Sequence, residues 1–189
     1  MQKVSFIKNM PPPSAREKSM TEHEFNAKKT LCFSGPRREK LLKTVKDMAE
    51  LRVNRIYRQI KKATDEGYDT FLFSACYGFD LVCAESVLLQ KEILRGSSKR
   101  IRLFAVIPYE AQADKWSRMD KERYFDILDE CDDKIVLNKN YISGCYQQCG
   151  RFIIDNSSRL VCYYDGSKTS YMVNYAKKKD LSIVNLFEA

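Results

Sequence analysis

The sequence predicts an α/β protein, a mostly parallel sheet of about six strands held between two layers of helices. Two observations predict it. Short apolar runs of strand length alternate with stretches whose apolar residues recur at helical spacing, and this alternation repeats five times after Thr30. The strand-length runs are apolar throughout rather than at every second position, as expected of strands covered on both faces.

The elements follow in order. Residues 31–34 form the first strand, closed by Gly35-Pro36. Leu42, Val45, Ala49, Ile56, Ile60 and Ala63 predict one long helix over about 38–64. A turn at Glu66-Gly67-Tyr68-Asp69 leads to a strand over 70–74 and a helix over about 79–94. Gly96-Ser97-Ser98 ends that helix ahead of a strand over 101–107. Trp116, Met119, Tyr124, Ile127, Leu128 and Cys131 share one face of the next helix. Strands over 134–137, 160–164 and 182–186 complete the set, with helices near 145–156 and 169–179.

Composition bounds the rest. The chain has 189 residues, 44% hydrophobic and 31% charged, enough for one domain with a real core and a modest extension. Pro11-Pro12-Pro13 and the polar run behind it mark 1–29 as a flexible N-terminal extension and leave 30–189 as the folded domain. The apolar runs fall far short of the ~20 residues of a membrane span. The first residues lack the apolar centre of a signal peptide. A cytoplasmic protein without membrane contact is expected. The seven cysteines agree, an odd count without regular spacing that suits buried free thiols rather than a disulfide framework. Cys145 and Cys149 have ligand-like spacing, but no second pair joins them and His23 is the lone histidine, so no metal site is expected.

The net charge of +8 is concentrated: residues 37–62 hold ten Lys or Arg against Glu39, Asp47 and Glu50. Such a stretch attracts nucleic acid or phosphorylated ligands. A solvated helix face is the plainer account, because Tyr57 is the one aromatic residue interleaved.

Ligands of parallel sheets gather beyond the carboxyl ends of the strands, where the strand order reverses. Three loops there run small residues straight into a helix: Ser34-Gly35-Pro36-Arg37, Ser74-Ala75-Cys76-Tyr77-Gly78-Phe79-Asp80, and Asp165-Gly166-Ser167-Lys168-Thr169-Ser170. Helix N-termini offer unpaired N–H groups to phosphate, and glycine lets backbone come close to a ligand. The ligand-binding candidates are therefore Ser34, Gly35, Arg37, Ser74, Ala75, Gly78, Asp80, Tyr109, Arg151, Gly166, Lys168 and Thr169. Asp80, in a first helical turn, would repel phosphate and suits ribose hydroxyls better. Arg37 and Arg151 suit bidentate phosphate contacts or ordinary surface positions. Tyr109 and Trp116 suit stacking on a base, with core packing the plainer role for Trp116. Thr169 and Ser170 suit helix capping.

The order Phe33-Ser34-Gly35, then Ser74-Ala75-Cys76-Tyr77-Gly78-Phe79-Asp80-Leu81-Val82-Cys83-Ala84-Glu85, resembles the SLOG superfamily, which includes the DprA and LOG proteins. Val106-Ile107-Pro108-Tyr109-Glu110-Ala111-Gln112, Trp116, Tyr124, and the run from Arg151 through Asp155-Asn156 to Val161 resemble its YpsA-like branch. So do Tyr164-Asp165-Gly166 and Val173-Asn174-Tyr175-Ala176. The resemblance implies a Rossmann-like three-layer sandwich and a nucleotide-type ligand site. Four departures stand out. Gly35-Pro36-Arg37-Arg38 replaces a Gly-His-Arg-Pro segment, Phe73-Ser74 replaces paired glycines, Cys149-Gly150 replaces Arg-Asn, and Ser167-Lys168-Thr169 replaces Gly-Gly-Thr. Lost glycines crowd the phosphate cradle, and Lys168 supplies a compensating charge.

The leading expectation is binding or sensing of a nucleotide or nucleotide-derived small ligand, with no resident cofactor. A phosphoribohydrolase-like enzyme is the alternative, with Asp80 and Glu85 as its carboxylates. The reading leans against catalysis, because the LOG signature is missing and no histidine lies within 30–189. Single-strand binding of the DprA kind through 37–62 is a third reading, and a homodimer is compatible with each.

Overall fold

A computed structural model describes residues 24–166 and 170–187. Of the extension expected over 1–29, residues 1–23 lie outside the described residues. Residues 24–29 are already part of the fold: Asn26 caps a 3-10 turn at Ala27–Lys29, and the Phe25 ring stands edge-on to Phe104 at 5.1 Å.

Six strands form one parallel sheet: β1 (Thr30–Ser34), β2 (Thr70–Phe73), β3 (Arg102–Ile107), β4 (Asp133–Val136), β5 (Arg159–Cys162) and β6 (Ser182–Asn185). Their spatial order is β4-β3-β2-β1-β5-β6. The chain builds outward from β1 to β4, then returns to the other side of β1 for β5 and β6. Its order therefore reverses between β1 and β5, which is where ligands of such sheets bind.

The sheet is covered on both faces, in keeping with its apolar strands. On one face Leu31, Phe33, Phe71, Phe73, Leu103 and Ala105 pack under the helices α3 (Arg58–Asp65), α4 (Phe79–Ile93) and α5 (Arg118–Glu130). On the other, Cys32, Leu72, Phe104, Val106 and Leu160 meet α6 (Cys145–Asp155) and α7 (Tyr171–Lys178) through Ile153, Ile154, Val173 and Ala176. The alternation of Leu31, Cys32 and Phe33 between the two cores is the two-residue period of a strand.

The long helix expected over 38–64 is broken at Val45, and its second part changes its winding along the way. The first, α1 (Arg38–Thr44), stops at an extended Val45, and Asp47 begins α2 (Met48–Glu50). The cause is local. The Asp47 carboxylate accepts from the backbone N–H of Ala49 at 2.8 Å and Glu50 at 3.0 Å, taking donors that in a continuous helix would bond the carbonyls of Val45 and Lys46. A π-helical stretch, Leu51–Tyr57, then runs into α3. Leu51 and Ile56, five residues apart, are both buried, a spacing suited to the wider turn. Trp116 also falls outside its expected helix. Ser117 caps α5, and Trp116 packs in the preceding turn between Tyr77 and Tyr124.

Two glycines fix the loops after β1 and β2 against each other. A Cβ on Gly35 would stand 2.4 Å from the Phe79 ring, and one on Gly78 would stand 2.6 Å from the Arg38 nitrogen and the Pro36 oxygen. Gly78 also has φ +108°, and the Phe79 N–H donates to the Pro36 carbonyl at 3.1 Å. Gly78→Ala should destabilise the protein by roughly 2–4 kcal/mol, combining left-handed strain with backbone overlap. Gly67→Ala, at φ +94° with open space around it, should cost only roughly 1 kcal/mol. Denaturant midpoints of the two variants check this, and equal losses would refute the interlock.

Candidate functional site

The carboxyl ends of β1 and β2, with the N-terminal parts of α6 and α7, border an open cavity of about 400 Å³. Its floor is Ser34, Gly35, Ser74 and Asp80, and its walls include Arg37, Cys76, Tyr146, Cys149, Tyr171 and Met172. A second cavity of about 210 Å³ lies on the β5 side of the same β1 loop, between Pro36, Lys40, Thr44, Tyr163 and Asp165. The two share Ser34, Gly35 and Ser170, so they form one crevice over the switch point.

Asp80 dominates the floor. Helix α4 begins at Phe79, so Asp80 sits in its first turn, 4% exposed. The Ser74 hydroxyl donates a short hydrogen bond to Oδ2, while the buried Oδ1 has no hydrogen-bond partner among the described residues. Burial raises the pKa of this carboxyl to about 7, against the opposing pull of the Ser74 hydroxyl and the nearby Ser74 and Gly35 amides. Cys76 and Cys149 line the same cavity. Burial first, then the nearby Asp80 charge, pushes the Cys76 thiol up to about 12, so it stays protonated.

The loop over Asp80 is held from behind. Ala75 is buried with φ +52°, a conformation that costs a non-glycine residue energy. The Gln112 amide fixes its carbonyl, donating to the Ala75 oxygen at 3.0 Å and to the Tyr124 hydroxyl at 3.2 Å.

At the mouth stands Arg37, just ahead of α1. Its guanidinium lies 5.6 Å from the Tyr77 ring centre and 5.9 Å from that of Tyr146, a cation–π seat on both sides. Its neighbours are committed to acids: Arg38 to Asp120 at 3.7 Å and Lys40 to Asp165 at 2.7 Å. Among the described residues Arg37 has no such carboxylate partner.

Ser34, Gly35, Arg37, Ser74 and Asp80 thus come together in the cavity, with Ala75 and Gly78 shaping the loop beside it. Tyr109 reaches the rim through an edge-on contact with Tyr146 at 6.1 Å. Arg151 stands elsewhere, its Nε bonded to the Tyr171 hydroxyl and its guanidinium over the Tyr171 and Tyr175 rings, where it clamps α6 to α7. Gly166 is exposed with φ +83° beside the second cavity, and Lys168 and Thr169 lie outside the described residues. Ser170 caps α7, accepting from the Val173 N–H at 3.4 Å. Glu85 is held by Arg123 and Arg52 in a different groove, so the two candidate carboxylates do not share a site.

Sequence reasoning missed Tyr146, Cys149, Tyr171, Met172 and Lys40. Ser143-Gly144 running into α6 is the same small-residue signal as in the other loops, and it would have pointed to Tyr146. Among the described residues no cluster of His, Cys, Asp or Glu is suited to a metal ion, and no helix is long and apolar enough to cross a membrane.

A parallel six-stranded sheet with a crevice over its switch point defines a Rossmann-like α/β protein. The chain belongs to the YpsA family, described as the YspA SLOG family, whose model matches residues 34–185. It is similar to a UPF0398 protein of Halalkalibacterium halodurans, 28% identical over 127 residues, covering 65% of this chain and 65% of that one. A UPF0398 protein of Bacillus velezensis is 26% identical over 129 residues, covering 66% and 69%, and one of Staphylococcus epidermidis is 25% identical over 113 residues, covering 58% and 57%. The chain thus spans little more than half to about two thirds of these relatives' lengths. The X-ray structure of TM1055 shares the fold at a TM-score of 0.50 and 11% identity, covering 82% of this chain and 72% of that one.

Asp80 links the site to stability. Its folded pKa of about 7 lies above the ordinary 3.8, so between those values the folded state holds the extra proton. Stability contributed by the group is therefore greatest at low pH and falls as pH rises towards 7, by a few kcal/mol at most by order of magnitude. Asp80→Asn should raise the melting temperature clearly at pH 8 and little at pH 5. An equal effect at both values would show that Asp80 ionises as readily in the folded chain as in the unfolded one.

Proposed function

We propose that the protein binds or senses a nucleotide or nucleotide-derived small molecule in the switch-point crevice. The observation that carries the reading is the buried Asp80 carboxyl among the residues lining the switch-point crevice, with Arg37 at its mouth. A ligand hydroxyl or N–H that hydrogen-bonds a buried carboxyl offsets its desolvation. Arg37 at the mouth offers guanidinium donors to an anion. A donor-rich end inside and an anionic end outside is the polarity of a nucleotide, with the sugar or base on Asp80 and phosphate on Arg37.

Enzyme chemistry has less support. A carboxyl poised near neutrality suits proton transfer, but Glu85 is tied to Arg123 in another groove and leaves Asp80 without a second carboxylate. Nucleic acid on 37–62 also has less support, since Arg52, Arg55, Lys61 and Lys62 pair with Glu85, Glu50, Asp65 and Glu66. For self-association, the groove flanked by exposed Leu42, Val53 and Leu89 is the supporting face. Seven unpaired cysteines support a reducing compartment such as the cytoplasm.

Thermal shift against a panel of nucleotides tests the reading. A true ligand at about 100 times its Kd stabilises by ~2.7 kcal/mol. Asp80→Ala should abolish the shift in a protein that still unfolds cooperatively. Arg37→Ala should weaken binding roughly tenfold to a hundredfold. A shift that survives Asp80→Ala, or no shift with any nucleotide, defeats the proposal.

A further inference from the structure

Outside the cavity, the rim carries an aromatic surface that the ligand so far described does not use. Tyr109 follows β3, Tyr141 precedes α6, and Tyr146 lies in the first turn of α6, all at the carboxyl edge of the sheet. Tyr141 is 63% exposed, Ile142 beside it 49%, and Tyr146 37%. Tyr109 meets Tyr141 edge-on at 5.5 Å and 81°, and Tyr146 at 6.1 Å and 87°. Tyr141, the most exposed of the three, keeps ring surface available to a further planar group.

The loops that carry this surface are tied together, and the surface is continuous with the crevice. The Asn138 amide donates to the Pro108 carbonyl at 2.8 Å, and the Glu110 N–H donates to the Asn138 carbonyl at 3.2 Å, tying together the loops that carry Tyr109 and Tyr141. The Cys145 N–H closes the turn on the Ile142 carbonyl at 3.1 Å. Tyr146 belongs to both regions, lining the cavity and seating Arg37 on its ring. Preorganised rings cost little entropy on binding.

We infer that the ligand carries two ring systems joined through an anionic link: one ring system in the cavity over Asp80, the link on Arg37, and the second ring stacked on the Tyr109–Tyr141–Tyr146 surface. The ligand class is a dinucleotide or dinucleotide-like molecule. This rests on the nucleotide reading above and narrows it. The cavity of about 400 Å³ suits one nucleoside-sized part, and the adjoining one of about 210 Å³ is smaller than ligand pockets usually are, so the rim is the better seat for a second ring. Arg37, between the two regions and without a carboxylate partner, stands where the link crosses. Three rings meeting at Tyr109 make a footprint for one further ring rather than for a strand of bases.

The test compares adenosine and guanosine monophosphates with NAD⁺, diadenosine diphosphate and diguanosine diphosphate by calorimetry. Wild-type protein should bind at least one dinucleotide roughly tenfold or more tighter than the monophosphate of the same base, the scale of one aromatic stack. Tyr141→Ala, an exposed position whose loss leaves the fold intact, should bring that ratio to about one. Equal affinities in the wild type, or an unchanged ratio in Tyr141→Ala, overturns the inference. The nucleotide reading survives that result as long as Asp80→Ala abolishes monophosphate binding. No binding by any of the five probes overturns both. A single-stranded oligonucleotide that outcompetes the dinucleotides and weakens steeply with salt assigns the surface to nucleic acid and overturns the inference.

Discussion

Between Gly35 and the ring of Phe79 there is no room for another carbon, and none between Gly78 and the Pro36–Arg38 turn. This double contact presses the loop after β1 against the loop after β2. It fixes where α4 begins, and so where Asp80 points. It also positions Arg37 at the mouth of the cavity. On the other side of β1 the ladder to β5 runs one step further, the Tyr163 N–H donating to the Ser34 carbonyl at 3.1 Å, and joins the β5 side of the crevice to the β1 side. The crevice depends on two missing side chains as much as on any that are present.

Within that frame the charges divide unevenly. A carboxyl is kept inside, within electrostatic reach of the buried or half-buried thiols Cys32, Cys76, Cys83 and Cys149. Sulfur neighbours do little to stabilise an ionised group, which is why burial wins over the Ser74 hydroxyl and the backbone amides. The guanidinium is kept outside, on aromatic faces that hold it without neutralising it. An inward acceptor and an outward cation separated by one cavity give a bound molecule a direction.

The layered α/β architecture was legible because its signals are collective. Six apolar runs and the intervening helical spacings all agreed, and each strand appeared within a residue or two of its place. Asp47 escaped notice because its effect is a local contest between side chain and backbone, invisible to a spacing of apolar residues that continues across it. The site was half legible. Ser34, Gly35, Ser74 and Asp80 follow strands, and the rule for parallel sheets finds such residues. Tyr171 and Met172 enter the cavity because α7 packs on α6 and the sheet, through Val173 and Ala176 as well as Arg151 on the tyrosines, a tertiary arrangement that the sequence order does not announce. Arg151 has the side chain that suits phosphate, but its Nε is engaged by the Tyr171 hydroxyl, a partner that only the packing of α7 on α6 supplies.

The place of β1 has a consequence for synthesis of the chain. This central strand pairs Thr30 with Thr70 on one side and Leu31 with Arg159 on the other. A ribosome adding ~5–20 residues per second needs roughly 4–17 s to pass from the end of β2 to the start of β5. Throughout that interval one edge of this central strand is unpaired, a template for other nascent chains. Folding of this sheet cannot close until its middle is completed almost last.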